Sequence, residues 1–438
     1  MSKGKQSQSK LQVQKMTNKH DSTDEVIPAL KKPPFAFEIN KFVMEVESLS
    51  KAYKQTERVV ESAFEKTSDD FMQYLKDKGV SVEVKSGKKK YKLKPEALPS
   101  FLRSSKDLLS SALSVQKVPQ IFFCSLVHQY DSYLGKLLRV AFLVKPDILN
   151  ASEKQLTFAD LSSFASIEDA REYLIEKEIE TVIRDSHDGH FNWMEKRFRL
   201  PLRKELLSWS KFIEMTERRH LFVHCDGIVS SQYLNVCKKH GVQFEKELKP
   251  AMHLGVSNKY FDNAVDCFLE IGIKLGHVLW RKLQPDNIEE ADNSLHATTF
   301  DFLSDEKYAL AKILLQFAVN TLKKHSSDNI RRIHLINLAI AHYKLGEKQE
   351  ALNLLNSQDW SACTYKFKLA VAVLQDKYED AAKLMIKIGK KGEVSREDYS
   401  SWPLFIDFRK SEEFLKTYRK LFGKDFIVTA VETDRPKV

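Results

Sequence analysis

The chain has 438 residues, enough for two or three domains, with 42% hydrophobic residues and a net charge of +10. Its 14 glycines and 12 prolines are few for a loop-rich β architecture and suit a helical one. The five cysteines include no CxxC pair, which argues against a disulfide framework and a zinc ribbon. We expect a cytoplasmic protein, because the first residues are polar and no apolar run approaches the roughly 20 residues of a membrane helix.

The N-terminal part of the chain changes character near residue 35. Residues 1–34 are rich in Lys, Gln and Ser, which predicts a disordered basic tail. From residue 37 to about residue 78, apolar residues recur at helical spacing, which predicts one long helix or a helix pair. Beyond it, apolar and basic residues alternate around a Ser-Gly turn, which predicts a basic hairpin at about 79–95. Three of its lysines are candidate contacts for RNA phosphates, although such hairpins are also common solvated edges: Lys88, Lys89 and Lys90.

The region after the hairpin is predicted to be entirely helical. A helix is predicted at 98–113, and another from Pro119 to Val144 is apolar nearly all round, which places it at the centre of a bundle. Ser166, with acidic residues after it, marks the start of a helix that runs to about Asp185. Further helices are predicted at 191–198, 202–224, 230–239 and 259–283. Residues 35–285 should therefore form one all-α domain.

The C-terminal part contains an internal repeat. A polar linker is predicted at 286–294. Residues 338–354 and 369–384 share small apolar residues, a tight turn and a second helix that begins near an alanine, and a first copy is predicted at 307–324. The pattern resembles tetratricopeptide-type repeats, which implies a short α-solenoid at 295–425 before a C-terminal tail at 426–438. Such solenoids usually recognise peptides or proteins.

Two arginines and two histidines lie within about one and a half turns at the predicted end of a helix, just before Gly227: Arg218, Arg219, His220 and His224. Arginine is a permanently charged donor suited to phosphate, and histidine exchanges protons near neutral pH. The cluster therefore favours chemistry on a phosphodiester over chemistry on a carbonyl.

Other interpretations of this cluster remain open. Cations in the last turn of a helix stabilise it by about 0.3–1 kcal/mol, so the arginines could act only as charges at the helix end. His220 and His224 have the spacing of a zinc-protease helix, but Leu221 occupies the position of the required glutamate. A metal-dependent hydrolase using both histidines and Cys225 is an alternative, although no second cluster completes the ligands. Asp185–His190 also has the residue types of a site, but its Ser and Asp-Gly more often form a turn.

Arg219, the polar residue after it and His224 match the Rx4–6H signature of HEPN-domain ribonucleases. The resemblance extends through Thr216–His224 and Gly227–Leu234, which are similar to a subgroup of bacterial HEPN proteins with Arg-Arg-Asn where this chain has Arg-Arg-His. It implies a HEPN-like helical bundle and a metal-independent endoribonuclease without a cofactor, in a bacterial toxin or phage-defence effector.

The resemblance also implies roles for the clustered residues. His224 would be the general base or acid, and Arg219 would stabilise the charge that develops on the scissile phosphate. His220 would be a second donor or an orienting group, and Arg218 a contact to the substrate. The register stays open, because Arg218 satisfies the signature as well as Arg219 does.

Helical geometry adds a constraint on this site. Residues five apart on an ideal helix point about 140° apart, so Arg219 and His224 converge poorly on one phosphate. The helix would have to end near His224, or a second copy of the motif would have to face it; we expect a homodimer, as HEPN domains form. The expected partners are RNA and, at the repeats, a protein such as an antitoxin, a sensor or a phage protein. The alternative function is a non-enzymatic scaffold that binds RNA or protein through its helical repeats.

Overall fold

The computed structural model describes residues 34–83, 89–151, 156–204 and 206–427, which form sixteen α-helices and one two-stranded sheet. The all-α fold class is confirmed. In chain order the elements are α1 (Pro34–Lys78), β1 (Gly79–Glu83), β2 (Lys89–Leu93), α2 (Leu98–Val144), α3 (Phe158–Leu161), α4 (Ile167–Ile183), α5 (His187–Phe198), α6 (Trp209–His224), α7 (Ser231–Lys239), α8 (Asn258–Leu283), α9 (Ile288–Ser304), α10 (Tyr308–Gln316), α11 (Asp328–Lys344), α12 (Lys348–Asn356), α13 (Tyr365–Leu374), α14 (Tyr378–Ile388), α15 (Arg396–Ser401) and α16 (Glu412–Phe422).

The two longest helices, α1 and α2, pack along each other, and the buried side chains of each lie in only one part of its length. In α1 the buried side chains end at Tyr53, and in α2 they begin at Pro119. Between these two positions, residues 54–118, no side chain that the structure describes is buried. We call this segment the two-helix arm. The separate helices predicted at 98–113 and 119–144 are one continuous helix.

The two strands close the tip of the arm. They pair antiparallel, with Gly79 opposite Leu93 and Glu83 opposite Lys89, which confirms the predicted hairpin. Lys90 is exposed on β2. Lys88 lies outside the described residues, as does the side chain of Lys89. The predicted tails also lie outside them, at residues 1–33 and 428–438.

Helix α8 lies at the centre of the molecule and packs against α1, α2, α6, α9 and α10. Two glycines permit its close approach to α1 and α2. A Cβ at Gly276 would lie 2.5 Å from the Tyr133 hydroxyl, and one at Gly272 would lie 2.3 Å from the Phe42 ring. One continuous hydrophobic core therefore extends from the first helix to α16.

The linker predicted at 286–294 is wrong, because α9 begins at Ile288 and packs on α8. Its polar composition was misleading since Asp292 is fully buried rather than solvated. The Asp292 carboxylate accepts hydrogen bonds from Arg281 on α8 and from the backbone N–H of Ser326, both at 2.6 Å. A buried carboxylate with such partners helps to hold α9 against α8, at the position where the sequence predicted a linker.

Three helix pairs follow, and each is joined by the same turn. The pairs are α9–α10, α11–α12 and α13–α14. In each, one residue of the turn has a positive φ, and the N–H of the residue after it donates to the carbonyl oxygen five residues before that donor, which is the Schellman arrangement. A fully buried alanine follows five residues after each turn residue. The turn residues are Glu306 (φ 60°), Gly346 (φ 80°) and Asp376 (φ 58°), and the alanines are Ala311, Ala351 and Ala381. The first pair thus begins at α9, upstream of the first copy predicted at 307–324.

No helix within the described ranges has the length and apolar character that crossing a bilayer would demand.

Candidate functional site

Helix α6 ends where the sequence predicts. The backbone N–H groups of Cys225 and Gly227 both donate to the carbonyl oxygen of Leu221, at 2.8 and 3.0 Å. Gly227 has φ +80°, and a Cβ there would lie 2.9 Å from the carbonyl oxygen of Leu254. The four clustered residues therefore occupy the last two turns of a helix that stops sharply.

Arg219 and His220 line a cleft of about 710 Å³ between α2, α4, α5 and α6. Both signs of charge and several imidazoles face this cleft. Its other ionisable lining residues are His128, Asp131, Lys136 and Arg139 from α2, Glu176 and Glu180 from α4, and Arg184, Asp185 and His187 at the start of α5.

The cations of this cleft differ in how they are neutralised. Arg139 forms ion pairs with Glu172 and Glu176, and Arg184 with Glu180. Arg219 is half-buried, and its Nε is buried without a hydrogen-bond partner among the described residues. A buried donor without a partner costs about 1–3 kcal/mol, a cost that an anion in the cleft would remove. Arg219 and Lys136 are thus the cations of the cleft that form no ion pair with a described residue.

An aspartate–histidine pair stands beside Arg219 and His220. Nε2 of His187 lies 2.9 Å from Oδ1 of Asp131, and His187 is 5% exposed. The His187 and His220 rings lie 6.3 Å apart, and Nδ1 of His220 lies 3.5 Å from the Glu217 carboxylate. The sequence did not single out Asp131, although a charged residue within the apolar second half of α2 is a signal for it.

Arg218 points away from this cleft into a buried network. Its Nε donates to Glu214 at 2.7 Å, its guanidinium lies 4.0 Å from the Tyr260 ring centre, and it also donates to the Gly255 carbonyl. Glu214 accepts further hydrogen bonds from the Tyr233 and Tyr260 hydroxyls, at 2.6 and 2.7 Å. Burial opposes the charge of Arg218, but these partners outweigh it and raise its pKa above the usual value. Arg218 is therefore committed to the protein, and the geometry favours Arg219 as the phosphate ligand.

His224 is exposed in the last turn of α6 and is not part of the cleft lining. Within one chain, Arg219 and His224 therefore do not face the same cleft. Their spacing of five residues accounts for this, because it points the two side chains about 140° apart on an ideal helix. Lys90 lies at the tip of the two-helix arm and does not line the cleft either.

The metal set considered from the sequence, His220, His224 and Cys225, does not assemble. Among the described residues, one group of side chains is close enough together to hold a metal ion, and it consists of Asp131, His187 and His190.

Neither a protein-family model, nor a curated protein, nor a solved structure matches the chain.

Proposed function

We propose that this protein is a metal-independent endoribonuclease of the HEPN type, serving as a bacterial toxin or phage-defence effector. One observation carries the proposal: Nε of the half-buried Arg219 has no hydrogen-bond partner among the described residues, and Arg219 shares its cleft with His220. A scissile phosphate would complete the hydrogen bonding of this guanidinium.

The proposed reaction uses the 2′-hydroxyl of the substrate as its nucleophile. A histidine takes the 2′-proton, the 2′-oxygen attacks phosphorus, and the bond from phosphorus to the 5′-oxygen breaks. A second histidine gives its proton to that leaving oxygen. Arg219 stabilises the charge on the pentacoordinate phosphate, and the products are a 2′,3′-cyclic phosphate and a 5′-hydroxyl. His220 and His224 are assigned the two proton transfers.

A homodimer is part of the proposal, because one chain does not place His224 in the cleft of Arg219. His224 is exposed at the end of α6, where a second copy could be reached. A two-fold axis near this helix end would bring His224 of each copy toward Arg219 of the other. RNA would lie in the combined cleft, and the lysines that the sequence analysis singled out, Lys88, Lys89 and Lys90, would contact its backbone outside it.

The test is cleavage of total RNA in the presence of EDTA, with the new ends mapped. Wild type should cleave and leave 2′,3′-cyclic phosphates, while Arg219→Ala and His224→Ala should each lose at least about 100-fold in rate. His253→Ala is a matched control, since His253 is an exposed histidine close to the end of α6. Cleavage that survives His224→Ala in a folded protein would contradict the proposal, and cleavage that EDTA abolishes would contradict its metal independence.

Mixing two inactive variants tests the dimer. Arg219→Ala combined with His224→Ala forms mixed dimers in which one of the two clefts has both wild-type residues. Partial recovery of cleavage on mixing is the expected result. No recovery, together with a monomer by light scattering at the assay concentration, would refute the composite site.

A second candidate function is a non-enzymatic scaffold that binds RNA or protein through the helical repeats. It is favoured by the recurrence of one turn and one buried alanine in three successive helix pairs. Failure to cleave any RNA, together with tight binding of an antitoxin, a sensor or a phage protein to residues 288–388, would favour this function over the nuclease.

A further inference from the structure

Three metal-ligating side chains meet in the wall of the cleft. Asp131 comes from α2, and His187 and His190 come from α5, where a spacing of three places both on one face. One ligand atom from each of the three lies within 4.8 Å of the others. The two imidazole rings are 4.9 Å apart.

The two histidines have lone pairs or N–H groups that the protein leaves unused. His190 is 1% exposed, and neither of its ring nitrogens makes a hydrogen bond of normal geometry to a described residue. The backbone of Ile183 and Asp185 lies close enough for weaker hydrogen bonding. Nδ1 of His187 is also buried without a partner. Unsatisfied buried nitrogens are costly, and three of them at one place need a common explanation.

We propose that Asp131, His187 and His190 bind one divalent transition-metal ion of the Zn²⁺ class. Two imidazoles and a carboxylate suit such ions, whereas Mg²⁺ and Ca²⁺ prefer oxygen ligands alone. Tetrahedral zinc holds its ligand atoms about 3.3 Å apart, so the three side chains need only small rotations from their present positions. Nε2 of His187 and Oδ1 of Asp131 lie 2.9 Å apart, so these two atoms would separate slightly to share an ion.

The electrostatic setting is compatible with a cation at this point. Asp131 supplies a negative charge, and Asp185 lines the same cleft. Asp131 and His187 line the cleft, and His190 is not part of its lining.

This inference does not rest on the proposed nuclease. The proposed cleavage assigns its proton transfers to His220 and His224, whereas the ion would join α2 to α5 in the wall behind them. Zinc binding without RNA cleavage would refute only the nuclease, and cleavage without zinc binding would refute only the metal site.

The test uses the full chain, stripped with a chelator and titrated with Zn²⁺ alone by calorimetry. We expect one ion per chain with a Kd below about 1 μM, and a melting temperature that rises with Zn²⁺ concentration. His190→Gln and Asp131→Asn should each weaken binding at least about 100-fold. His128→Gln should bind as wild type does, since His128 lines the same cleft but lies outside the set.

A measurement on the wild-type chain covers the case in which the variants fail to fold. Co²⁺ in place of Zn²⁺ should give the visible absorption of a tetrahedral nitrogen and oxygen site, and Mg²⁺ should leave the melting temperature unchanged. The proposal is overturned if the stripped wild type binds no Zn²⁺ at micromolar concentration. Binding that is equal in wild type and a folded His190→Gln would overturn it too, and Asp131 and His187 would then be a hydrogen-bonded pair only.

Discussion

Stability in mild acid should depend on His277, a histidine of α8 at the junction with the helix pairs. It is fully buried, its ring lies parallel to that of Trp280, and neither ring nitrogen makes a hydrogen bond. Burial lowers its pKa to about 3; the charges of Arg281 and of protonated His334 act in the same direction, and Asp292 opposes them. His277 is therefore neutral in the folded protein throughout the physiological range.

The sign of the effect follows from proton uptake. An unfolded chain binds a proton at this histidine near pH 6.5, whereas the folded chain binds it only near pH 3. The contribution to stability is therefore complete above pH 6.5 and is lost progressively as the pH falls toward 3. At pH 5 the gap of about 1.5 pH units corresponds to about 2 kcal/mol in the free energy of unfolding.

His277→Gln removes the titrating group and should make the protein less sensitive to acid. Between pH 7.5 and 5.0, the wild type should lose about 2 kcal/mol more of its unfolding free energy than the variant does. Urea denaturation at both pH values, followed by circular dichroism, measures this difference. The quantity compared is the loss of unfolding free energy between the two pH values. A lower stability of the variant at pH 7.5 therefore does not affect the result.

His128→Gln is the matched control, because His128 is exposed on α2 and should leave the acid sensitivity unchanged. Equal losses in wild type and His277→Gln would show that His277 titrates near its ordinary pKa, which would refute the reasoning from burial.

Three further stability effects follow from the backbone and the buried charges, each measured by urea or thermal unfolding. Arg218→Ala leaves a buried carboxylate unpaired and should cost about 3–5 kcal/mol, against less than about 1 kcal/mol for Arg219→Ala; equal losses would contradict their different settings. Gly227→Ala should cost about 1–2 kcal/mol through its positive φ, and a change below about 0.5 kcal/mol would contradict that strain. Glu306→Gly should stabilise by up to about 1 kcal/mol, since Glu306 has the conformation that glycine adopts at Gly346; a lower melting temperature would contradict it.

Helix starts encoded by neighbouring residues were predictable from the sequence. Ser166, the start predicted for α4, accepts a hydrogen bond from the backbone N–H of Asp169, three residues later. This cap needs no partner from elsewhere in the chain, so sequence spacing is sufficient to find it.

Helix limits set by tertiary contacts were not predictable. Pro119 was expected to begin a new helix, but α2 continues through it, and α2 packs against both α1 and α8. The helix predicted from residue 202 begins only at Trp209. Arg203 forms hydrogen bonds and ion pairs with Asp188 and Glu195 of α5. These contacts hold the chain around Arg203 outside α6.

The same distinction holds for the candidate site. Arg219 and His220 were found because they adjoin in sequence and precede a glycine that ends the helix. The Asp131–His187 pair is separated by 56 residues and depends on how α5 packs against α2. No spacing rule encodes that approach, so the cleft itself required the structure.

The two-helix arm gives the molecule a sharp boundary in local stability. Tyr53 and Phe123 are almost completely buried, whereas Val59 is 69% exposed and Leu102 is 58% exposed only a few turns away. Amide protons of the arm should therefore exchange through local openings that the rest of the chain does not share. Residues 60 and 115 line one pocket at the base of the arm. A short turn joining the chain there would excise the outer arm and leave in place every side chain that the structure describes as buried. Insertions or deletions can thus change the length of the two-helix arm while the hydrophobic core stays the same.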